Sequence, residues 1–188
     1  LAVWLGPGNV IGSGANGATI GGGAENAIGN GAYNATICGG RENFIRDGAF
    51  GATVSGGTGN IIMTNAICAT IGGGEENYIK SGSSYATVAG GNNHRIWDGA
   101  WWATIGGGVD HHIGLRSGWA TIAGGSDNFI GNDALGAIIG GGYLHLIADY
   151  ATNAFIGGGE QNRIVSDWGH IYLLCKSTLA WPNWIPSE

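Results

Sequence analysis

Charged side chains are scarce in this sequence. Lysine and arginine together account for only 7 of the 188 residues, against 13 aspartates and glutamates, and the formal net charge is -6. Binding to a nucleic-acid backbone depends on clustered lysine and arginine, so we expect no nucleic-acid partner. The sequence also lacks any apolar run of about 18 residues or more, so we expect no segment inserted in a membrane.

Proline, cysteine and an initiating methionine are also rare or missing. Three prolines are too few for a collagen-like chain. Three cysteines without a CxxC pair indicate neither a disulfide framework nor a zinc site. The chain opens at Leu1 inside a repeat, so we expect a fragment or a processed product. The 44% of hydrophobic residues excludes intrinsic disorder.

Glycine, by contrast, is abundant, and its 40 residues follow a period of 17. The segment ATIGGGAENAIGNGAYN at 18–34 is closely repeated as ATIGGGEENYIKSGSSY at 69–85. Successive 17-residue coils align from residue 1 to residue 170 without an insertion or a deletion, and we number the positions 1 to 17 within each coil. Position 11 is isoleucine and position 6 is glycine in every coil. Such a strict period is typical of an extended repeat structure.

Each coil contains two short segments that alternate as half-buried strands do: Ala-Thr-Ile at positions 1–3 and Asn-x-Ile at positions 9–11. Glycine-rich turns separate them, and the glycine density excludes helix. The sequence predicts an all-β fold, a parallel β-solenoid (β-roll) of ten 17-residue coils over residues 1–170, about 45–50 Å long. Residues 171–188 leave the pattern and are predicted to form a C-terminal cap or to begin a following segment.

Two positions are predicted to form continuous lines of like side chains along the rod. Stacked amides at position 9 can hydrogen-bond from coil to coil, and the isoleucines at position 11 fill the core. The structural residues that we expect in these lines are Asn26, Asn43, Asn60 and Asn77, and Ile28, Ile45, Ile62 and Ile79.

The apolar side chains of one coil are few in relation to the seventeen residues that the coil must order. Coils from several chains could share one core and so bury more apolar surface. We therefore expect a homotrimer around one axis.

Repeats of the form ATIGGGxxNxI resemble the tandem repeats of trimeric autotransporter adhesin heads, which are YadA-like, and of bacteriophage tail-fibre shafts. The matching residues are the Ala-Thr-Ile-Gly strands, such as Ala69 to Gly72, and the Asn-x-Ile strands, such as Asn77 to Ile79. The resemblance extends over residues 1–170. It implies a parallel β-roll with three chains around one axis and the isoleucine lines facing that axis.

Aromatic residues cluster in the later coils. Tyr85, Trp102 and Trp119 occupy position 17 of three successive coils, and Trp97 and Trp101 lie near them in the sequence. At a coil rise of about 4.8 Å these rings could form a flat platform for sugar rings, which makes all five residues candidates for glycan binding. The alternative is an aromatic stack in the core or at a contact between chains.

Histidine replaces asparagine at position 9 in three coils, as His94, His111 and His145. In a trimer, an inward position 9 would bring three imidazoles together on each such coil, and imidazole is a common ligand of transition metals. The alternative is that histidine substitutes for asparagine as a hydrogen-bonding residue, since no HExxH spacing is present. A transition metal is the sole cofactor that the sequence suggests.

Two further patterns have both a functional and a structural interpretation. Asp47, Asp98 and Asp149 recur in the second turn, where paired carboxylates could suit glycoside hydrolysis but turn chemistry already accounts for aspartate. Threonine occupies position 2 of seven successive coils, from Thr19 to Thr121. This hydroxyl line could bind ice or crystalline polysaccharide, or could reflect the strand propensity of threonine.

The function that we expect is a structural and adhesive β-solenoid segment of a trimeric surface adhesin or a phage-like tail fibre, contacting glycans through the late aromatic residues. The alternative is a carbohydrate-binding or carbohydrate-active solenoid, although the sequence contains no catalytic constellation. The expected partners are further copies of the chain and cell-surface polysaccharide. The expected location is extracellular, on a cell surface or a virion.

Overall fold

The structure, a computed structural model, describes residues 6–165 and the backbone of residues 172–173. These residues form a parallel β-solenoid of about nine turns and contain no helix, which confirms the predicted all-β fold class. The predicted number of coils was ten, but the first and last coils lie partly outside the described residues. Among the described residues, none forms a helix of the length and apolarity that crossing a bilayer requires.

Each coil contributes one two-residue strand to each of two parallel sheets. Sheet A contains β1 (Val10–Ile11), β3 (Ala27–Ile28), β5 (Phe44–Ile45), β7 (Ile61–Ile62), β9 (Tyr78–Ile79), β11 (Arg95–Ile96), β13 (His112–Ile113), β15 (Phe129–Ile130), β17 (Leu146–Ile147) and β19 (Arg163–Ile164). Sheet B contains β2 (Thr19–Ile20), β4 (Thr36–Ile37), β6 (Thr53–Val54), β8 (Thr70–Ile71), β10 (Thr87–Val88), β12 (Thr104–Ile105), β14 (Thr121–Ile122), β16 (Ile138–Ile139), β18 (Phe155–Ile156) and β20 (Tyr172–Leu173).

The register of both sheets equals the sequence period. Ile45 pairs with Ile62 in sheet A, and Thr70 pairs with Thr87 in sheet B, each 17 residues further along the chain. Strand β20 pairs with β18 in the same register, so sheet B continues into the segment that was predicted to form a C-terminal cap or to begin a following segment. The rest of the predicted segment 171–188 lies outside the described residues.

The core closes within a single chain. The isoleucines and valines of positions 3 and 11 are at most 2% exposed from Ile20 to Ile164. Alanines of positions 1 and 15, such as Ala52 and Ala66, fill the space between them. The isoleucine lines therefore face the interior of their own coil, whereas the resemblance implied that they face an axis shared by three chains. Short alanine side chains allow the two sheets to approach closely, so that the isoleucines need no second chain to bury them.

Glycine at position 6 is required by the close approach of successive coils. At Gly57 the backbone is left-handed, with φ +87°, and an added Cβ would lie 2.1 Å from the carbonyl oxygen of Gly74. An alanine would therefore meet backbone that cannot move aside. The glycine of each coil lets the turn of the next coil lie directly above it.

The asparagines of position 9 lie in the core and connect three backbone groups each. Asn60 Nδ2 donates to the carbonyl oxygens of Gly56, at 3.0 Å, and Gly74, at 2.9 Å, while its Oδ1 accepts from the backbone N–H of Asn77 at 3.1 Å. The same pattern links Asn26 to Asn43 and Asn43 to Asn60. Each amide thus satisfies buried backbone groups on its own coil and on the next.

Replacement of this amide should destabilise the rod. Asn60→Ala leaves the Asn77 N–H and the Gly56 carbonyl without a partner, while the Gly74 carbonyl keeps its bond from the Thr58 N–H. We expect the free energy of unfolding to fall by about 2–3 kcal/mol. Thr58→Ala, at an exposed position on the same coil, should change it by less than about 0.5 kcal/mol. Chemical denaturation followed by circular dichroism measures both variants. Equal stability of Asn60→Ala and the parent would show that the amide is not needed.

Candidate functional site

The aromatic residues of position 17 lie at a turn just before the strands of sheet B. Tyr85, Trp102 and Trp119 all have a left-handed backbone, with φ of 60°, 55° and 57°. Bulky residues rarely adopt this conformation, which costs an L-residue about 1 kcal/mol or more. At this position the other coils carry Gly17, Asn34, Gly51, Cys68, Gly136, Asn153 and His170. The turn therefore forms with glycine, asparagine or cysteine, as at Gly51, Asn34 and Cys68, and does not itself require an aromatic side chain.

These three rings form a stack on the outside of the rod, which we call the aromatic stack (Tyr85, Trp102 and Trp119). The centroids of Tyr85 and Trp102 are 4.8 Å apart with planes 7° from parallel, and those of Trp102 and Trp119 are 6.0 Å apart with planes 6° from parallel. All three residues are exposed, at 47%, 49% and 54%. The sequence left open a stack in the core, and the exposure of the rings removes that alternative for a single chain.

The rings overlap face to face, so they do not form the flat platform that the spacing suggested. Two coplanar rings 4.8 Å apart would bring their nearest carbons well inside the roughly 3.5–4.0 Å of a normal carbon contact. The stack therefore presents ring edges along its length and free faces at its ends. Gly136 has no side chain beyond Trp119, and the small Cys68 precedes Tyr85 at position 17.

Trp101 supports the stack from the side. Its ring lies edge-on to Trp119, with centroids 3.9 Å apart and planes at 78°, and edge-on to Trp102. A Cβ added at Gly118 would come within 3.0 Å of the Trp101 indole. Gly118 therefore leaves the space that Trp101 occupies above its own coil, and this contact fixes the orientation of the neighbouring rings.

Trp97 takes a separate position at the end of strand β11. It is 36% exposed, and the Lys80 ammonium lies 5.8 Å from the centroid of its ring. The sequence grouped Trp97 with the stacked residues, but the structure pairs it with a cation on the preceding coil.

The sequence interpretation missed an aromatic pair on earlier coils. Tyr33 and Phe50 occupy position 16 of successive coils, are 44% and 41% exposed, and have ring centroids 5.3 Å apart. Their common position in the repeat was the available signal. They lie on the same turn of the coil as the aromatic stack, although on different coils.

The histidines of position 9 take the place of asparagine in the core. His94, His111 and His145 are at most 1% exposed, and Nδ1 of each accepts a hydrogen bond from the backbone N–H of the next coil, at 3.1–3.2 Å. The proton of a neutral ring must then be on Nε2. Nε2 of each ring lies near a glycine carbonyl of the next coil, such as Gly108 for His94, but its geometry falls short of a hydrogen bond. Imidazole therefore accepts the backbone hydrogen bond that the asparagine Oδ1 accepts in other coils, but it does not replace the donation by the asparagine Nδ2.

Burial makes protonation of these rings unfavourable. The rings of His94 and His111 stack with centroids 4.9 Å apart. Burial, and then the neighbouring His111, lowers the pKa of His94 to about 4, while the Gly108 carbonyl and Asp110 act in the opposite direction. Burial also lowers the pKa of His111 and of His145. All three side chains are therefore neutral near pH 7.

The position of the three imidazole rings is unfavourable for the transition-metal site that the sequence suggested at position 9. Asn128 occupies position 9 between His111 and His145, and within residues 6–165 no three histidine, cysteine or acidic side chains converge as a metal site would require. Position 9 points into the core of its own chain, so three chains could not bring their imidazoles together along a common axis without opening that core.

The aspartates of the second turn form hydrogen bonds between coils. Asp47 Oδ1 accepts from the backbone N–H of Asn30, and Asp98 Oδ1 accepts from that of Ser81, both at 2.8 Å. Asp149 accepts in the same way from Asn132. This geometry agrees with the turn interpretation of these residues.

A shallow pocket of about 330 Å³ lies beside sheet A. Its charged and titratable lining residues are Arg95, Asp110, His112 and Asp127, with Phe129 and Leu144 as apolar neighbours. Two of its acids occupy position 8, a position that the sequence interpretation did not consider. Burial is the main reason that the pKa of His112 is lowered, and Arg95 lowers it further. The pocket is therefore lined by one basic side chain, Arg95, and two acidic side chains, Asp110 and Asp127.

Comparison with known proteins does not assign the chain to a family. Neither the search of protein-family models nor the search of curated proteins finds a match for the chain.

The buried histidines predict a loss of stability in acid. Because the folded pKa of His94 lies below the value of about 6.5 in the unfolded chain, the unfolded state binds more protons as the pH falls from about 7 to about 4. The free energy of unfolding should therefore fall over this range, by about 2–3 kcal/mol for His94 alone.

The matched control is the triple variant His94→Asn, His111→Asn and His145→Asn. In other coils asparagine accepts the same backbone hydrogen bond through its Oδ1. Because asparagine does not titrate, the variant should lose most of this pH dependence. Thermal melting of both proteins between pH 7 and pH 4 measures the difference. Identical pH profiles would contradict the assignment.

Proposed function

We propose that this chain is a structural and adhesive rod, a segment of a surface adhesin or a phage-like tail fibre, that contacts glycans through the aromatic stack. The observation that carries the proposal is the placement of three exposed aromatic rings at left-handed positions where the other described coils have glycine, asparagine or cysteine. Burial in the core does not offset their backbone cost; contacts among the rings offset part of it, and binding of a ligand would add to these contacts.

The regular connection between coils supports the structural part of the proposal. Backbone hydrogen bonds join each coil to the next on both sheets, and strand pairing keeps the same 17-residue register from Val10 to Leu173. No loop is inserted between residues 6 and 165. A parallel stack of about nine turns at a rise of about 4.8 Å gives a rod about 45 Å long. Such a rod holds surface residues at fixed separations.

Glycan contact is supported by the chemistry of the aromatic stack. Tyrosine and tryptophan combine an apolar ring with a polar hydrogen-bonding group, which suits ligands that are part apolar and part hydroxylated. Sugar rings have this character. The free face of Trp119 beyond Gly136 and the ring edges are the surfaces that a sugar would meet. The ligand class that we propose is cell-surface polysaccharide, and the location is extracellular, on a cell surface or a virion.

A carbohydrate-binding module on a monomeric rod is the second candidate. The observation in its favour is that the isoleucine lines are fully buried within one chain, so that a single copy has a complete core. This candidate uses the same aromatic stack and differs in the number of chains.

In a homotrimer, the chains would contact one another through exposed surfaces, because the core of each chain is already closed. The exposed pair of Tyr33 and Phe50 is an apolar surface available for such a contact. We propose that copies associate through this pair, leaving the aromatic stack of the later coils for the glycan.

Loss of the central ring of the stack should abolish most glycan binding. Trp102 contacts Tyr85, Trp119 and Trp101, and Trp102→Gly removes it while allowing the left-handed backbone that Gly51 and Gly136 have at the same position. We expect at least a ten-fold loss of affinity on a glycan array, in line with the loss of an aromatic residue that anchors a binding interface. Trp119→Ala should weaken binding in the same direction.

The matched control is Trp97→Ala, which removes an exposed tryptophan outside the stack and should leave glycan binding unchanged. Circular dichroism and the melting temperature establish that each variant is folded. Equal binding by Trp102→Gly and the parent, or equal losses in Trp102→Gly and Trp97→Ala, would refute the assignment of the stack as the glycan site.

The mass in solution tests the association. We expect sedimentation equilibrium to give three times the chain mass of 19.1 kDa, and we expect Phe50→Asp to shift the protein towards the monomer, because it places a charge in an apolar contact. A monomer at every concentration would eliminate the trimer and leave the carbohydrate-binding module.

A further inference from the structure

The outward face of sheet B differs from the rest of the surface in its chemistry. Positions 1–6 of the coils that span residues 18–136 contain no charged residue and no aromatic residue. Their polar side chains are seven threonines at position 2, together with Ser55 and Cys38 at position 4. We call this surface the threonine face. Its threonines are Thr19, Thr36, Thr53, Thr70, Thr87, Thr104 and Thr121.

The threonines form one uninterrupted row. Each pairs with the threonine of the next coil in the parallel sheet, as Thr53 does with Thr70 and Thr104 does with Thr121. Six intervals of about 4.8 Å make the row about 29 Å long. The β-branched side chain has few accessible χ1 rotamers, so its hydroxyl and methyl groups repeat at the coil spacing. Position 4 beside the row is exposed and has only glycine, alanine, serine or cysteine.

Sheet A provides an internal comparison for strand propensity. Position 10 is the outward strand position of sheet A, and its residues are half-buried to the same degree as most of the threonines. In the seven coils that have threonine at position 2, position 10 carries Ala27, Phe44, Ile61, Tyr78, Arg95, His112 and Phe129. An outward strand position of this solenoid therefore accepts six residue types. Strand propensity alone therefore does not account for seven threonines in succession. Duplication of the coil does not account for them either, because position 10 has diverged in the same seven coils.

The chemistry of the face limits its occupant. Protein interfaces depend on tryptophan, tyrosine and arginine anchors, and none lies on the threonine face. Charged polymers require charge-assisted hydrogen bonds, which this face does not offer. The aromatic rings that suit sugars lie at position 17, outside it. A regular line of hydroxyl groups, each able to donate one hydrogen bond and accept two, with methyl groups beside them, is suited to an ordered array of water molecules.

We propose that the threonine face orders a layer of water at the coil spacing and binds ice. Hydroxyl groups exchange hydrogen bonds with the water lattice, and the absence of charge leaves no strongly hydrated group to disturb it. The requirement is a continuous row, so a single long charged side chain in the middle of the face should disrupt binding. The site uses no residue of the aromatic stack, which precedes the threonines by two residues on three coils.

Partition into slowly grown polycrystalline ice tests the proposal directly. We expect the parent chain to be enriched in the ice fraction relative to the liquid, and Thr70→Lys to reduce that enrichment at least five-fold. Tyr78→Lys is the matched control, because Tyr78 is the outward strand residue of sheet A on the same coil, and its enrichment should equal that of the parent. Ala89→Lys, at an exposed position beside the row, is a second disrupting variant that leaves every threonine in place.

Circular dichroism identifies variants that remain folded, and Ala89→Lys decides the outcome if Thr70→Lys does not fold. Exclusion of the parent chain from ice would overturn the proposal, as would equal enrichment of Ala89→Lys and Tyr78→Lys. Absence of enrichment in ice, together with binding to insoluble neutral polysaccharide that Ala89→Lys loses and Trp102→Gly keeps, would also overturn it and would assign the face to that polymer. Trp102→Gly should partition like the parent, which separates this site from the proposed glycan site.

Discussion

The rest of the structure depends on the hydrogen bonds that the buried polar side chain of position 9 makes to the backbone. A solenoid coil that turns on three consecutive small residues exposes backbone carbonyl groups to its own core, and such groups are costly if they have no partner. Asn43 shows the solution: its Nδ2 donates to Gly39 and Gly57, and its Oδ1 accepts from Asn60 of the next coil. One side chain thus satisfies a glycine turn and sets the register between coils.

Once this register is fixed, the outward positions are free to specialise. The interior uses isoleucine, valine and alanine in almost every coil, so differences between coils are confined to the surface. Position 2 repeats threonine, position 10 varies, and position 17 changes from asparagine or glycine to three aromatic rings. Function in this chain is therefore to be sought in outward lines of residues that depart from what the turn or strand requires. The aromatic stack and the threonine face are the two clearest departures.

The period of 17 was sufficient to predict the solenoid, because Ile45 and Ile62 can lie one above the other only if the whole coil returns to its starting point. It was not sufficient to predict how the core closes. Alanines such as Ala49 and Ala66 at position 15 are buried, and without that knowledge a single chain seemed to have too little core. Ring orientation was also beyond the sequence: the spacing of Tyr85 and Trp102 follows from the coil rise, but their tilt depends on the left-handed turn and on Trp101. For His94, no sequence pattern indicates which ring nitrogen faces the backbone N–H of the next coil.

The account depends on coils stacked in register, and distances between spin labels on the threonine row measure that directly. Pulsed electron paramagnetic resonance gives three distances between pairs of nitroxide labels. The labels are attached to cysteines introduced in a background without the native cysteines, and the pairs are Thr19 with Thr87, Thr19 with Thr104, and Thr19 with Thr121. In-register stacking predicts that the distance increases by about 4.8 Å for each 17 residues, with a narrow distribution for each pair. Unequal increments, or distances that do not increase along the series, would contradict it.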